Sequence, residues 1–253
     1  MELNKIYNES CIETMSRMPD GFIDLTVTSP PYDNLRTYED DIDKTWGEHI
    51  WKPIIKELYR VTKDGGVVVW VVGDATINGL KTGTSYKQCN YLMSIGFSLI
   101  DNIIYKKNSV AFPSKGHRYT NIYENGFVIS KGHPCNVNII KDKKNKWAGH
   151  SSYDGKVKEV AKYAPRENIW EYVTSLNDKT EHPAVFPEKL AADHIYSWSN
   201  EGDIVYDPFM GSGTTAKMAH IHKRKWIGSE ISSKYVELAY KRIDPYLRQT
   251  SLF

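Results

Sequence analysis

Asp207-Pro208-Phe209-Met210-Gly211-Ser212-Gly213-Thr214-Thr215 is the stretch that decides the fold. A strand-like run, Asp203-Ile204-Val205-Tyr206, leads into it, and the helical Ala216–Lys223 leaves it. Glycines at 211 and 213 permit a tight turn and close backbone approach, so a strand, loop and helix here can cradle a nucleotide-like ligand at a sheet's carboxyl edge. The next strand candidate ends in Glu230, 17 residues after Gly213, where a carboxylate can accept from ribose hydroxyls. The loop lacks the lysine of a phosphate-binding GxxxxGK[ST] and the full GxGxxG. Only 40 of the 253 residues follow Gly213, enough for about one strand and two helices. The strands that complete this sheet must therefore come from the N-terminal half, which makes the order circularly permuted relative to the usual doubly wound fold.

Working outward, apolar runs alternate with helical patterns, the mark of βαβ units around a largely parallel sheet with helices on both faces. Strands are predicted at Ile23–Thr28, Gly66–Val72, Leu99–Tyr105, Gly126–Ser130, Ile204–Tyr206 and Trp226–Ser229. The run Gly66–Val72 is nearly all β-branched, which suits a central strand buried on both faces. Helices are predicted over Glu48–Arg60, Tyr86–Ile95, Glu188–Ser197 with Pro187 at its start, and Ser232–Ile243 with Pro245 as its stop.

Thr28-Ser29-Pro30-Pro31-Tyr32 follows the first strand. Two prolines cannot donate to a ladder, so the strand ends there and a stiff loop stands beyond its carboxyl edge. In a permuted sheet that edge lies beside the glycine loop. A serine hydroxyl, a proline carbonyl and an aromatic face suit an amino group on a flat ring: two oxygens take its hydrogens and Tyr32 stacks on the ring.

Formal charge is +2, from 33 basic and 31 acidic side chains, but residues 1–64 carry 8 basic and 13 acidic groups, which leaves the remainder at +7. A polyanion should meet the later part of the chain. Residues 131–180 have no clean period, and 141–166 hold eight basic against three acidic side chains, with Trp147, Tyr153 and Tyr163 between them. Cations for phosphates beside rings for bases describe a nucleic-acid surface, and Lys141, Lys143, Lys144 and Lys146 are its candidates. Cys11, Cys89 and Cys135 form no CxxC pair, and the histidines show no metal-ligand spacing. Small buried thiols in a reducing compartment are expected, with no metal. No window approaches the ~18 apolar residues of a membrane span, and the start of the chain lacks a signal-type apolar stretch. The expectation is a cytoplasmic protein away from membranes.

In this order, the motifs resemble the amino-methylating DNA methyltransferases that use S-adenosylmethionine, in particular their β class. TSPPY is similar to that family's catalytic [DNS]-P-P-[YF] motif, and DPFMGSGTT to its cofactor loop. VVVWVVGD, NIYENGFVISKG and GSEISSKYVELAYKRI are similar to further blocks, so the likeness covers nearly the whole chain. It implies a circularly permuted Rossmann-like methyltransferase fold in three parts: 1–130 catalytic, 131–180 an inserted target-recognition region, 181–253 cofactor-binding. It further implies that Asp207, Phe209, Gly211 and Gly213 form the S-adenosylmethionine pocket with Glu230 on the ribose, and that Ser29, Pro30 and Tyr32 hold the flipped base. Glu9 stands where the family often has the acidic residue of a Gly-Asp-Cys. His182-Pro183 and Lys189 fall in the block near the methionine end of the cofactor.

The implied reaction methylates an exocyclic amino group in double-stranded DNA. Serine at the first motif position leans to cytosine N4, with adenine N6 as the alternative. Cytosine C5 chemistry lacks its Pro-Cys pair here. An oxidoreductase would give TSPPY no task, and a non-catalytic DNA-binding relative would not need Ser29, Pro30 and Tyr32 intact. The small insert is compatible with a homodimer, and a cognate restriction endonuclease would act separately.

Overall fold

The computed structural model describes residues 1–31, 46–108, 118–153, 156–172 and 186–249. In chain order the elements are β1 (Lys5–Tyr7), α1 (Cys11–Ser16), β2 (Ile23–Thr28), α2 (Glu48–Val61), β3 (Thr62–Val72), β4 (Thr76–Ile77), β5 (Leu80–Lys81) and α3 (Thr84–Ser94). Then follow β6 (Ser98–Lys107), β7 (Tyr123–Ser130), β8 (Lys143–Lys144), β9 (Gly149–Tyr153), β10 (Lys156–Val160), β11 (Tyr163–Ala164) and β12 (Ile169–Tyr172). The last are α4 (Glu188–Trp198), β13 (Ile204–Asp207), α5 (Thr214–Ile221), β14 (Lys225–Ser229) and α6 (Ser233–Gln249).

Eight strands form one sheet in the order β1-β14-β13-β2-β3-β7-β6-β12. Its pairs are parallel except for β7, which runs against both β3 and β6. The late strand β13 lies directly against the early strand β2, with Val205 opposite Leu25 and Tyr206 opposite Thr26. That pairing is the permuted order expected from the position of the glycine loop.

Period-two alternation splits each central strand between two cores. Val67, Val69 and Val71 of β3 join Leu25 and Val27 of β2 against α4, α5 and α6, through Leu190, Ile195, Ala216, Ala219, Ala239 and Ile243. Val68, Trp70 and Val72 face the other way, onto Met15 of α1, Ile55 and Leu58 of α2 and Leu92 of α3. The result is a three-layer α/β sandwich whose central strands are buried on both faces. Amphipathic α2 shows the cause locally, since Trp51, Ile54, Ile55, Leu58 and Val61 recur at helical spacing and are its buried residues.

Several sequence expectations need correction. Helix α6 does not stop at Pro245 but continues to Gln249; Leu247 packs against the core and holds the turn beyond the proline. Cys135 is exposed, while Cys11 and Cys89 are buried. Two strands of the eight-stranded sheet were not predicted, β1 and β12, because three and four residues are too few to show a period; the short strands of the three small two-stranded sheets were not predicted either. Strand β12 comes from within 131–180, yet pairs in parallel with β6 and buries Trp170 and Tyr172 in the main core. Among the described residues no helix is long and apolar enough to cross a membrane.

Candidate functional site

The site is built where β2 and β13 end side by side. Thr28 Oγ1, on the last residue of β2, donates to Asp207 Oδ1 at 2.6 Å, on the last residue of β13. Thr215 Oγ1, in the first turn of α5, donates to the Val27 carbonyl at 3.1 Å. The two motifs are thus stitched together at their bases, 179 residues apart in sequence. Immediately beyond the stitch, Ser29 is half-buried and Pro30 buried. Tyr32, His182 and Pro183 lie outside the described residues.

Asp207 is 5% exposed, and besides Thr28 its Oδ1 accepts from the Phe209 amide at 3.0 Å. Removal from water pushes its carboxyl up to about 6, against the opposing pull of these donors. Across the loop, the Glu230 carboxylate accepts from the Gly211 amide at 2.8 Å and the Ser232 amide at 2.9 Å. Burial raises Glu230 as well, and the nearby Asp207 charge adds to the rise. The buried Asp207 and the half-buried Glu230 therefore share one rim and repel each other.

Gly211 and Gly213 both have positive φ, +49° and +79°. Gly213 is the N-cap residue of α5, and a Cβ there would sit 2.8 Å from Ala239 Cβ. Its lack of a side chain serves the packing of α6 behind the loop as much as any approach by a ligand. Arg242 of α6 braces the same loop: its Nη1 donates to Ser212 O and Ser212 Oγ, both at 2.7 Å. Phe209 packs edge-on against Trp46 and Trp70, with centroids 5.6 and 6.1 Å away. Thr28, Arg242, Trp46 and Trp70 were not singled out from sequence. Thr28 alone carried a signal, as the first letter of TSPPY; the other three reach the loop from distant places, Arg242 from α6, Trp70 from β3 and Trp46 from just before α2.

Glu9 follows β1, whose neighbour is β14, and Asn8 Nδ2 donates to the Glu230 carbonyl at 2.8 Å. The structure thus brings 8–9 to the rim that holds Glu230. The Glu9 carboxylate itself pairs with Arg17 and accepts from Thr14 Oγ1 at 2.7 Å, and the Arg17 contact lowers its pKa. Lys189 pairs with Asp193 within α4.

The basic region docks on α4 through Arg166. Its guanidinium meets Asp193 at 2.7 Å, Tyr172 Oη at 3.1 Å and Asp142, and lies 5.1 Å from the Trp170 ring. Lys141, Lys144 and Lys146 are exposed, and Lys143 is exposed but paired with Glu167. Strand β8, which contains Lys143 and Lys144, pairs with β11. Trp147 stands 78% exposed beside them.

Residues 23–241 match the family model described as DNA methylase, with N6 and N4 in its label. The chain is similar to the orphan methyltransferase M.BamHII of Bacillus amyloliquefaciens, at 50% identity over 90% of this chain and 91% of that protein. Among solved structures it is similar to the PvuII DNA methyltransferase, titled cytosine-N4-specific, with a TM-score of 0.69 at 21% identity, covering 96% of this chain and 91% of that one. It is also similar to the M1.HpyAVI–SAM complex, with a TM-score of 0.65 at 24% identity, covering 94% of this chain and 98% of that one. The match over 219 residues and the half-identical relative settle the membership: this chain belongs to the DNA methylase family that methylates amino groups.

Proposed function

We propose that the chain transfers a methyl group from S-adenosylmethionine to the N4 amino group of a cytosine flipped out of double-stranded DNA. The observation that carries this is the junction of Thr28 with Asp207, which sets Ser29 and Pro30 beside the glycine loop in a member of the DNA methylase family.

The rim fits the cofactor chemically. Asp207 is buried and Glu230 half-buried, and their charges are costly and mutually repulsive, so a ligand that is cationic and rich in hydroxyl and amino donors relieves both. Residues Asp207, Phe209, Gly211, Gly213 and Glu230 would hold it, with Glu9 at the outer edge. When bound, S-adenosylmethionine supplies an electrophilic methyl group on a sulfonium.

An exocyclic amino group is a weak nucleophile because its lone pair is delocalised into the ring. Ser29 Oγ and the Pro30 carbonyl would each accept one amino hydrogen, drawing the nitrogen toward tetrahedral geometry and localising that lone pair. Tyr32 would stack on the flipped base. The contribution is orientation and preorganised hydrogen bonding, with no covalent link to the protein. Residues 1–130 and 181–253 supply this chemistry, and 131–180 is the recognition region, with Lys141, Lys143, Lys144 and Lys146 on phosphates. We read the activity as cytoplasmic, a reading supported by the likeness to a bacterial methyltransferase. That relative is named an orphan methyltransferase, and a cognate endonuclease, where one exists, would be a separate chain.

Labelled methyl transfer to duplex DNA tests the proposal, with Ser29→Ala and Tyr32→Ala beside wild type and the modified nucleoside identified by mass. Expected are N4-methylcytosine from wild type and a large loss in both variants. Equal labelling by all three proteins overturns the site, N6-methyladenine alone overturns the base, and no transfer to any DNA overturns the function.

A further inference from the structure

Strand β3 runs parallel to β2, with Trp70 opposite Thr28, so the chain leaves β3 at the same sheet edge as Ser29. Four residues later β4 and β5 form a hairpin in which Ile77 is paired with Leu80. Its two turn residues, Asn78 and Gly79, both have positive φ, +50° and +82°, which is the tight turn that matches strand twist. The stem is clamped: the Thr82 amide donates to the Ala75 carbonyl at 3.1 Å, and the Ser85 amide to Asp74 Oδ1 at 2.9 Å.

This firmly held hairpin presents an apolar tip to water. Ile77 is 49% and Leu80 74% exposed, although they face each other across the pair. The charges nearest the tip are basic: between Asp74, whose carboxylate is taken up by the Ser85 amide at the stem, and Asp101 the sequence has Lys81 and Lys87 and no acidic residue. Lys81 Nζ donates to Asn121 Oδ1 at 3.0 Å, which brings the segment holding exposed Arg118 and Tyr119 alongside.

We propose that this hairpin is a second DNA-contacting element, in which Ile77 and Leu80 enter a groove and lie against the bases beside the target, while Lys81, Lys87 and Arg118 meet phosphates. The inference rests on the methyltransferase reading above. Apolar wedges flanked by cations are how proteins press on base steps and open a duplex, and the tip stands on the edge where a flipped base must arrive. A second copy of this chain is the poorer occupant. At a two-fold interface the patch would meet itself, placing these cations against their own copies, while Asp74, the acid at the stem, is already engaged by the Ser85 amide.

The experiment compares wild type, I77S/L80S and K81Q/K87Q in binding to a duplex oligonucleotide that wild type methylates, by fluorescence anisotropy across a salt series. Binding of S-adenosylmethionine and the thermal midpoint serve as folding controls. I77S/L80S is expected to weaken duplex affinity by about tenfold with an unchanged salt slope. K81Q/K87Q should lower the slope of log affinity against log salt by about 2. Both should bind S-adenosylmethionine as wild type does. Wild-type affinity and salt slope in both variants would overturn the proposal. So would a wild-type dimer that I77S/L80S converts to monomer at unchanged DNA affinity, since the tip would then be a self-association surface. Failure of wild type itself to bind or methylate any duplex would instead remove the methyltransferase reading, and this proposal with it.

Discussion

Thr28 Oγ1 reaches Asp207 Oδ1 at 2.6 Å across the seam between β2 and β13, and both groups are buried. That bond holds the end of the TSPPY strand against the start of the glycine loop. A buried carboxylate with donors on it resists displacement, because losing a donor leaves a charge without a partner in a medium of low polarity.

Thr28→Val keeps the shape of the side chain and removes the donor. Asp207 Oδ1 would retain the Phe209 amide, and the loss of a charge-assisted bond should cost about 1–3 kcal/mol of stability. Urea unfolding measures it directly. A cost below the error of that measurement would show that the seam is held by packing alone.

Gly213→Ala should destabilise on two counts. The φ of +79° disfavours an L-residue by roughly 1–2 kcal/mol, and the new methyl would press on Ala239 Cβ at 2.8 Å. Ala239→Gly removes this nearest contact but leaves the backbone strain and itself costs about 1 kcal/mol inside α6, so the effect of Gly213→Ala should be smaller in the Ala239→Gly background than in wild type. No effect of Gly213→Ala on thermal melts in that background would assign the whole effect to packing.

His194 predicts acid lability. Its ring is fully buried, stacked 4.6 Å from Trp170, and among the described residues neither nitrogen has a partner. Burial drives its pKa down from 6.5 to about 3. The unfolded chain therefore binds this proton more readily, so the stability is fully present above pH 6.5 and is lost as pH falls toward 3. Asp207 acts oppositely, since its raised pKa of about 6 makes its charge costly above that pH and relieves the cost as pH falls. Between pH 7.5 and 5, His194→Phe should spare the protein about 2 kcal/mol of the loss that wild type suffers. Denaturation at the two pH values checks it, and parallel losses would exclude His194 as the cause.

Neutralising Lys141, Lys143, Lys144 and Lys146 together should weaken duplex binding and flatten its salt dependence. Because Lys143 is paired with Glu167, the slope should fall by about 3 rather than 4. An unchanged slope would return this run to an ordinary solvated surface.

Much of the architecture was legible in the linear sequence because its signals are local. The β-branched run of β3, the proline stop after β2 and the two glycines before α5 each impose their own backbone conformation. The forty residues left after Gly213 then required a permuted order, and β13 does lie against β2. Strand β12 was not legible: four residues carry no period, and Trp170 and Tyr172 become core residues only because β6 offers an edge. Pro245 misled for a related reason, since Leu247 beyond it finds the core.

What the sequence determined by itself is therefore the kind of chemistry: a hydroxyl and a carbonyl on a stiff loop, a glycine turn, and a carboxylate one strand later. Only the tertiary structure decided how these are held. Arg242 reaches Ser212, Trp46 and Trp70 flank Phe209, Thr28 bonds Asp207, and Arg166 ties the basic region to Asp193. Such contacts join residues 27 to 179 positions apart or bring in groups with no motif of their own, and they exist only once a shared core fixes the distance between them.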